Sequence, residues 1–261
     1  MDILTFRSFY ETSLGEKVLS TIANKLKLKD RDVSGERVMG LGYVTPYLQW
    51  LRPRAERCFA FMPARQGACV WPSAEKVATA LVFEEDLPLP DSAVDRIILV
   101  HSLEFAENAR EMLSEMWRVL APNGRIIIVV PNRRGLWARN DHTPFGSGQP
   151  YSRQQLLLLL HETNFSVVNI GEALYFSPSG RALARGFSAI YEPLARNFFP
   201  YFGGIIVCEA QKRLFQGLPV HRRQSRRVFI PALSPQITNR KPSHAVEIRS
   251  DHESSDWQSL A

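Results

Sequence analysis

The sequence predicts an α/β fold built on a parallel sheet, and three observations carry that prediction. Short β-branched apolar runs alternate with segments of helical period, as in strands joined by crossover helices. The first run, Arg37-Val38-Met39, enters a glycine turn, Gly40-Leu41-Gly42-Tyr43, and is followed by Thr45-Pro46. Threonine there suits a helix cap and proline a first helical turn. Ile126–Val130 is wholly apolar and rich in β-branched residues, the composition of a strand buried on both faces.

The elements follow in order. Leu14, Val18, Ile22 and Leu26 recur every four residues, with Leu19 beside them, and define one apolar helix face. A polar linker from Lys27 leads to Gly35 and the first strand. Short strands are expected at Arg57–Phe61, stopped by Pro63, and at Ala80–Phe83. After the turn Leu87-Pro88-Leu89-Pro90-Asp91 comes a strand at Ile97–Val100, then a helix whose buried face is Ala109, Leu113, Met116, Trp117 and Leu120. Pro122-Asn123-Gly124 reads as a turn before Ile126–Val130. A loop over residues 131–151 precedes a helix capped by Ser152, and strands are expected at Val167–Ile170 and Ile205–Glu209, with a helical insertion around 182–199 between them. Residues 1–34 read as a helical extension, 35–217 as the main domain and 218–261 as a basic tail without hydrophobic pattern, expected to be disordered.

Composition narrows the function classes. The chain is 45% hydrophobic, enough for an ordinary core. Three scattered cysteines, Cys58, Cys69 and Cys208, include no C-x-x-C pair, so neither a zinc site nor a disulfide framework is expected. The longest apolar runs fall far short of the ~20 residues of a membrane span. The N-terminal segment lacks a basic head before an apolar stretch, which argues against a secretory leader and makes the cytoplasm the expected compartment. Half of the net charge of +6 lies beyond Leu218, where seven basic residues face four acidic ones. That tail could touch nucleic acid, but Phe229 and Trp257 are too sparse for a base-stacking platform, and a solvated tail is the preferred reading.

Two stretches carry a family resemblance: LPLPDSAVDRIILVHSLEF and EMLSEMWRVLAPNGRIIIVVPN. In order and spacing they resemble the middle of class I S-adenosylmethionine-dependent methyltransferases of the type 11 group, over about residues 33–170. The resemblance implies a Rossmann-like, seven-stranded, mostly parallel sheet with helices on both faces. The ligand would lie at the carboxyl ends of the strands, near the switch in strand order. It implies S-adenosyl-L-methionine as cofactor, with Gly42 on the family's diagnostic glycine and Gly40, Leu41, Tyr43 and Thr45 lining the same turn. Met62, Glu85 and His101 would complete the cofactor side.

The sequence also departs from that pattern. Gly40 stands where the first motif carries an acid, and Val44 and Pro46 stand on its second and third glycines. The second strand ends Phe61-Met62-Pro63-Ala64 without the usual carboxylate. Each missing anchor is worth about 1–3 kcal/mol as a charge-assisted hydrogen bond; Glu84 and Glu85 are the nearest carboxylates in the next turn.

Methyl transfer from a sulfonium needs positioning and removal of an acceptor proton. His101, at the end of the Ile97–Val100 strand, is the candidate base, with Glu104 close by in sequence. The loop from Asn132 to His142 should overhang the acceptor side. Its Arg133, Arg134, Arg139 and Trp137 suit an anionic or planar small-molecule acceptor, and His142 and Tyr151 are further acid/base candidates. The expected function is therefore methyl transfer to a small or medium acceptor. The alternative is a methyltransferase-like binding or regulatory protein without turnover. Nucleic-acid amino-group methylation is disfavoured, because His101-Ser102-Leu103-Glu104 replaces the N/D-P-P-Y type motif.

Overall fold

A computed structural model describes residues 1–178 and 203–213. Its centre is a seven-stranded sheet in the order β3-β2-β1-β4-β5-β7-β6. The strands are β1 (Arg37–Gly42), β2 (Arg57–Pro63), β3 (Thr79–Val82), β4 (Val94–Val100), β5 (Leu120–Pro131), β6 (Phe165–Ala173) and β7 (Ile205–Lys212). β1 to β5 pair in parallel, and β7 lies antiparallel to both β5 and β6. The order runs outward from β1 in one direction and from β4 in the other, so the switch point lies between those two strands.

Among the described residues five helices flank the sheet: α1 (Ile3–Tyr10), α2 (Ser13–Lys25), the single turn α3 (Thr45–Leu48), α4 (Ala109–Val119) and α5 (Arg153–Glu162). Alternation along each strand sorts side chains to two cores. Val38, Ile98, Val100, Ile127 and Val129 face α1, α2 and α3. Met39, Leu41, Ile97, Leu99, Ile126 and Ile128 face α4 and α5. The Leu14–Leu26 periodicity materialises as α2, and Ser152 closes a capping box with Gln155 at α5.

Four local expectations are corrected. The segment Gly40-Leu41-Gly42 is not a turn: β1 runs through it, paired with both β2 and β4. The helix expected after Thr45 lasts one turn, and Val44 rather than Thr45 stands at its cap position, with no side-chain cap bond. Pro122-Asn123-Gly124 falls inside the long strand β5, with Asn123 at φ 62°. Within the helical extension, whose only helix was expected over 14–26, a separate α1 forms under an Asp2 cap and buries Ile3, Phe6, Phe9 and Tyr10. The insertion expected at 182–199 and the tail 218–261 lie outside the described residues. Among the described residues no helix is long and apolar enough to cross a membrane.

Polar pins fix the strand register at the amino edge of the sheet. Asp95 on β4 accepts the backbone N–H of Arg37 at 2.9 Å and its guanidinium at 2.8 and 2.9 Å. The bonds from Arg37 hold the Asp95 carboxyl below its ordinary value, against a smaller opposing effect of burial. A carboxyl lowered on folding stabilises the fold above its unfolded value near 3.8, and that contribution disappears as pH falls through the folded value. Asp95→Asn is therefore expected to cost about 1–2 kcal/mol at pH 7. The gap from wild type should begin to narrow below the unfolded value near 3.8 and close as pH falls through the lower folded value, which urea titrations at pH 7 and at successively lower pH would measure. At the carboxyl end of β7, Lys212 is buried: its Nζ donates to the Leu120 carbonyl at 2.6 Å and sits 4.1 Å from the Trp117 ring centre.

Candidate functional site

The carboxyl ends of β1 and β4 bound the crevice at the switch point. Gly42 is the last residue of β1, at φ 89°. A Cβ there would stand 2.3 Å from the Val100 carbonyl oxygen and 2.8 Å from that of His101. Glycine is demanded here by the close approach of β1 to β4 and by the left-handed backbone. At Gly40 a Cβ would strike Val44 and Leu48 of the α3 segment. Both glycines are thus explained by packing within the chain.

Just past β4, His101 also adopts a positive φ, 53°, and its side chain is fully buried. Its Nδ1 lies 3.1 Å from Glu104 Oε1, and Glu104 Oε2 accepts the Ser102 N–H at 3.2 Å. A carboxylate at Nδ1 favours the proton on that nitrogen, leaving Nε2 as acceptor. Nε2 is 2.9 Å from the Tyr10 hydroxyl, which is 2.8 Å from the Tyr47 hydroxyl. The result is a buried polar chain, Glu104–His101–Tyr10–Tyr47. Burial, then the neighbouring Tyr47, pushes the Tyr10 phenol well above its ordinary value; burial likewise raises Tyr47. Both phenols remain protonated.

Helix α1 supplies the rest of the crevice filling. Phe6, fully buried, stacks on His101 at 4.8 Å and on Tyr43 at 5.5 Å, while Phe145 approaches His101 at 4.7 Å. Gln66, three residues past β2, staples the assembly: its side chain donates to the His101 carbonyl at 2.9 Å and its own carbonyl accepts the Ile3 N–H at 2.8 Å. Its Oε1 is buried without a partner among the described residues. In this conformation the chain's own aromatic rings pack on Tyr43 and His101, the residues that follow β1 and β4 at the crevice.

The remaining predicted residues are dispersed. Leu41 is buried in the sheet, and Met62 is a core residue whose sulfur accepts the Cys69 N–H at 3.2 Å. Tyr43 and Thr45 line a surface cavity of about 330 Å³ with Arg7, Tyr10, Glu11 and Cys69. Burial raises the Tyr43 phenol to about 12. Glu85 lies 3.7 Å from Arg65, and the more buried Glu84 lies 3.1 Å from it. On the acceptor side Trp137 is fully buried, its indole N–H donating to the Phe176 carbonyl at 2.8 Å. Arg133 donates to the Pro150 carbonyl at 3.3 Å. Arg134 and Arg139 line different cavities, Arg139 one of about 480 Å³ with Asn140, Asp141 and His142. Tyr151 reaches the Leu103 carbonyl at 3.4 Å, its phenol raised to about 12 by burial.

Sequence reasoning missed Phe6, Tyr10, Gln66 and Arg153. For the first two the signal existed: Asp2 is a capping residue, and Ile3, Phe6, Phe9 and Tyr10 recur at helical spacing. Gln66 and Arg153 acquire their positions only through tertiary contacts.

The comparisons with known proteins bear on the whole domain. Residues 39–128 match the family model described as Methyltransferase domain. Among curated proteins none matches the chain. Among solved structures, a Thermotoga maritima protein described as an S-adenosylmethionine-dependent methyltransferase, possible histamine N-methyltransferase, superposes with TM-score 0.58 at 15% identity, covering 81% of this chain and 96% of that one. A Haloferax volcanii complex between the Trm112 methyltransferase activator and a putative methyltransferase gives 0.57 at 15% identity, covering 82% and 99%. Geranyl diphosphate C-methyltransferase from Streptomyces coelicolor A3(2) gives 0.52 at 14% identity, covering 77% and 85%. Residues 39–128 thus match a methyltransferase domain, and the seven-stranded sheet that contains them has the Rossmann-like fold of these methyltransferase structures.

Proposed function

We propose that this protein transfers a methyl group to a small acceptor carrying an anionic group, and that α1 must leave the crevice for it to do so. The observation that carries the reading is the loop that leaves the carboxyl end of β5, on the same sheet edge as Gly42 and His101, and carries Arg134 just past the strand end. Once α1 lifts, Nε2 of His101 loses Tyr10 and becomes the free end of a histidine backed by Glu104. In that arrangement His101 takes the acceptor proton, and the carboxylate behind it stabilises the imidazolium. Gly42, Tyr43 and Thr45 would border the cofactor side, with Gln66 Oε1 offering an unspent buried acceptor where a carboxylate is absent. Trp137, expected to suit a planar acceptor, is instead buried with its indole N–H on the Phe176 carbonyl and is given no part in acceptor binding.

Calorimetry with S-adenosylmethionine and S-adenosylhomocysteine tests this on the wild type and on Tyr10→Phe. The hydroxyl bonds both His101 and Tyr47, so its loss weakens the cover by about 1–1.5 kcal/mol. If the closed form dominates, the open fraction rises about tenfold and apparent affinity with it. Tighter binding by the variant is the expected result. Equal affinities would remove α1 as the gate, and no binding to either protein at millimolar ligand would overturn the cofactor reading. The filled crevice and the missing carboxylates at Gly40 and Met62 favour a second reading, a binding protein without turnover. It would be supported by ligand binding with no S-adenosylhomocysteine formed across an acceptor screen.

A further inference from the structure

We propose that Arg134 and Arg153 form an oxyanion-binding subsite for the acceptor, taking a carboxylate or phosphate group; its role in the reaction rests on the methyl-acceptor reading above. The two guanidiniums come from separate segments that the fold clamps together. Past β5, the Tyr151 N–H donates to the Pro131 carbonyl and the Arg133 N–H to the Tyr151 carbonyl, both at 2.9 Å. This laces the 150–152 segment alongside the strand end and sets Arg153 at the start of α5. Asn132 Oδ1 accepts the Arg134 N–H at 3.1 Å, while its amide donates to the Gly203 carbonyl at 2.9 Å. That turn brings Arg134 round to the same side.

Between them lies a cavity of about 180 Å³ lined by Asn132, Arg134, Ser152, Arg153, Gln154 and Glu172. This is roughly six times a water's share of liquid volume, room for one oxyanion and a few waters. Several other arginines end on carboxylates: Arg37 on Asp95, Arg96 on Glu36, Arg118 on Glu115. Arg134 and Arg153 have no ion pair among the described residues, although both guanidiniums act electrostatically on Glu172 across the cavity. Glu172 is not theirs to bind closely: it is largely buried and accepts the Gly203 N–H at 2.8 Å. Two cations therefore face one carboxylate with space between, and the unbalanced positive charge suits a bridging oxyanion held by paired guanidinium donors. Arg133 is excluded from the pair, its guanidinium being turned to the Pro150 carbonyl.

The test uses the full chain and two probes, inorganic phosphate and acetate, titrated calorimetrically at an ionic strength held constant with chloride. Arg134→Gln and Arg153→Gln are compared with Arg57→Gln, an equal change of charge on the exposed amino end of β2. Saturable binding is expected in the wild type, weakened about tenfold or more in each of the first two variants and less than twofold in the third. Preference for one probe identifies the group as phosphate or carboxylate. Binding of neither anion overturns the proposal, and so does equal loss in all three variants, which would mean diffuse charge. Unaltered thermal melting of the variants separates loss of the site from loss of the fold. Cofactor binding without anion binding refutes the subsite alone, while anion binding without cofactor binding keeps the subsite and refutes its part in methyl transfer.

Discussion

Gly42→Ala is expected to unfold much of the chain's stability margin rather than merely to weaken a ligand. The added methyl would lie 2.3 Å from the Val100 carbonyl oxygen and 2.8 Å from that of His101. These are backbone atoms of the neighbouring strand segment and cannot swing aside. The residue also sits at φ 89°, where an L side chain is strained. Backbone strain of about 1–3 kcal/mol and overpacking of a similar size add. A total near 3–5 kcal/mol is a large part of the 5–15 kcal/mol that holds a typical domain folded. Urea denaturation would read the loss directly. A variant as stable as wild type would mean that β1 and β4 can part without penalty, and that the glycine serves something other than their approach. The consequence for experiment is practical: substitutions at this position report on the fold first, so Tyr10→Phe is the cleaner probe of ligand access.

The second large effect is expected at Trp137. The ring is fully buried, meets Phe145 and Phe176 edge-on at 5.6 and 5.5 Å, and donates its N–H to the Phe176 carbonyl. Gly204 completes the fit, since a Cβ there would come within 2.1 Å of the indole. Trp137→Ala removes this filling and leaves the carbonyl unpaired, at a cost of about 3–5 kcal/mol. For a domain of this size that lowers the melting temperature by about 10 °C. An aromatic ring kept for stacking on a ligand would behave oppositely, sparing the melting temperature while affinity fell. Calorimetric scanning of Trp137→Ala distinguishes the two.

These two positions also show what could be read without coordinates. Gly42 was legible as essential, because glycine between a strand and a capped turn is a recognisable signal, and the order of elements from β1 to β5 followed from runs such as Ile97–Val100 and Ile126–Val130. Its reason was not legible: a Cβ clash with β4 depends on how closely two strands converge, which no local pattern records. Trp137 stood in a loop of arginines and glycine, where composition suggests an exposed ring. Its burial is decided by Phe145, later in the same loop, and by Phe176 and Gly204, which are distant along the chain. The arginines illustrate the same limit. Charge alone grouped Arg133, Arg134 and Arg139, whereas backbone bonds at Asn132 and Tyr151 separate them and associate Arg134 with Arg153. His101 was read as a residue at the sheet edge, and the fold places it there, but covered by α1, an element whose capping residue and apolar spacing were present in the sequence and were passed over.

Helix α1 also fixes an order of assembly. It has eight residues, too few to be helical alone in water, so it becomes a helix only when it finds its seat. The seat is remote: the Tyr10–His101 bond joins residues 91 positions apart. Joining such distant points carries a loop-closure penalty that the central strands, once paired, have already met. α1 is therefore expected to close over a sheet that is already paired. Reversed, the same ordering makes α1 the first part of the native protein to let go, with backbone amides that exchange with solvent well before those of β1 and β4.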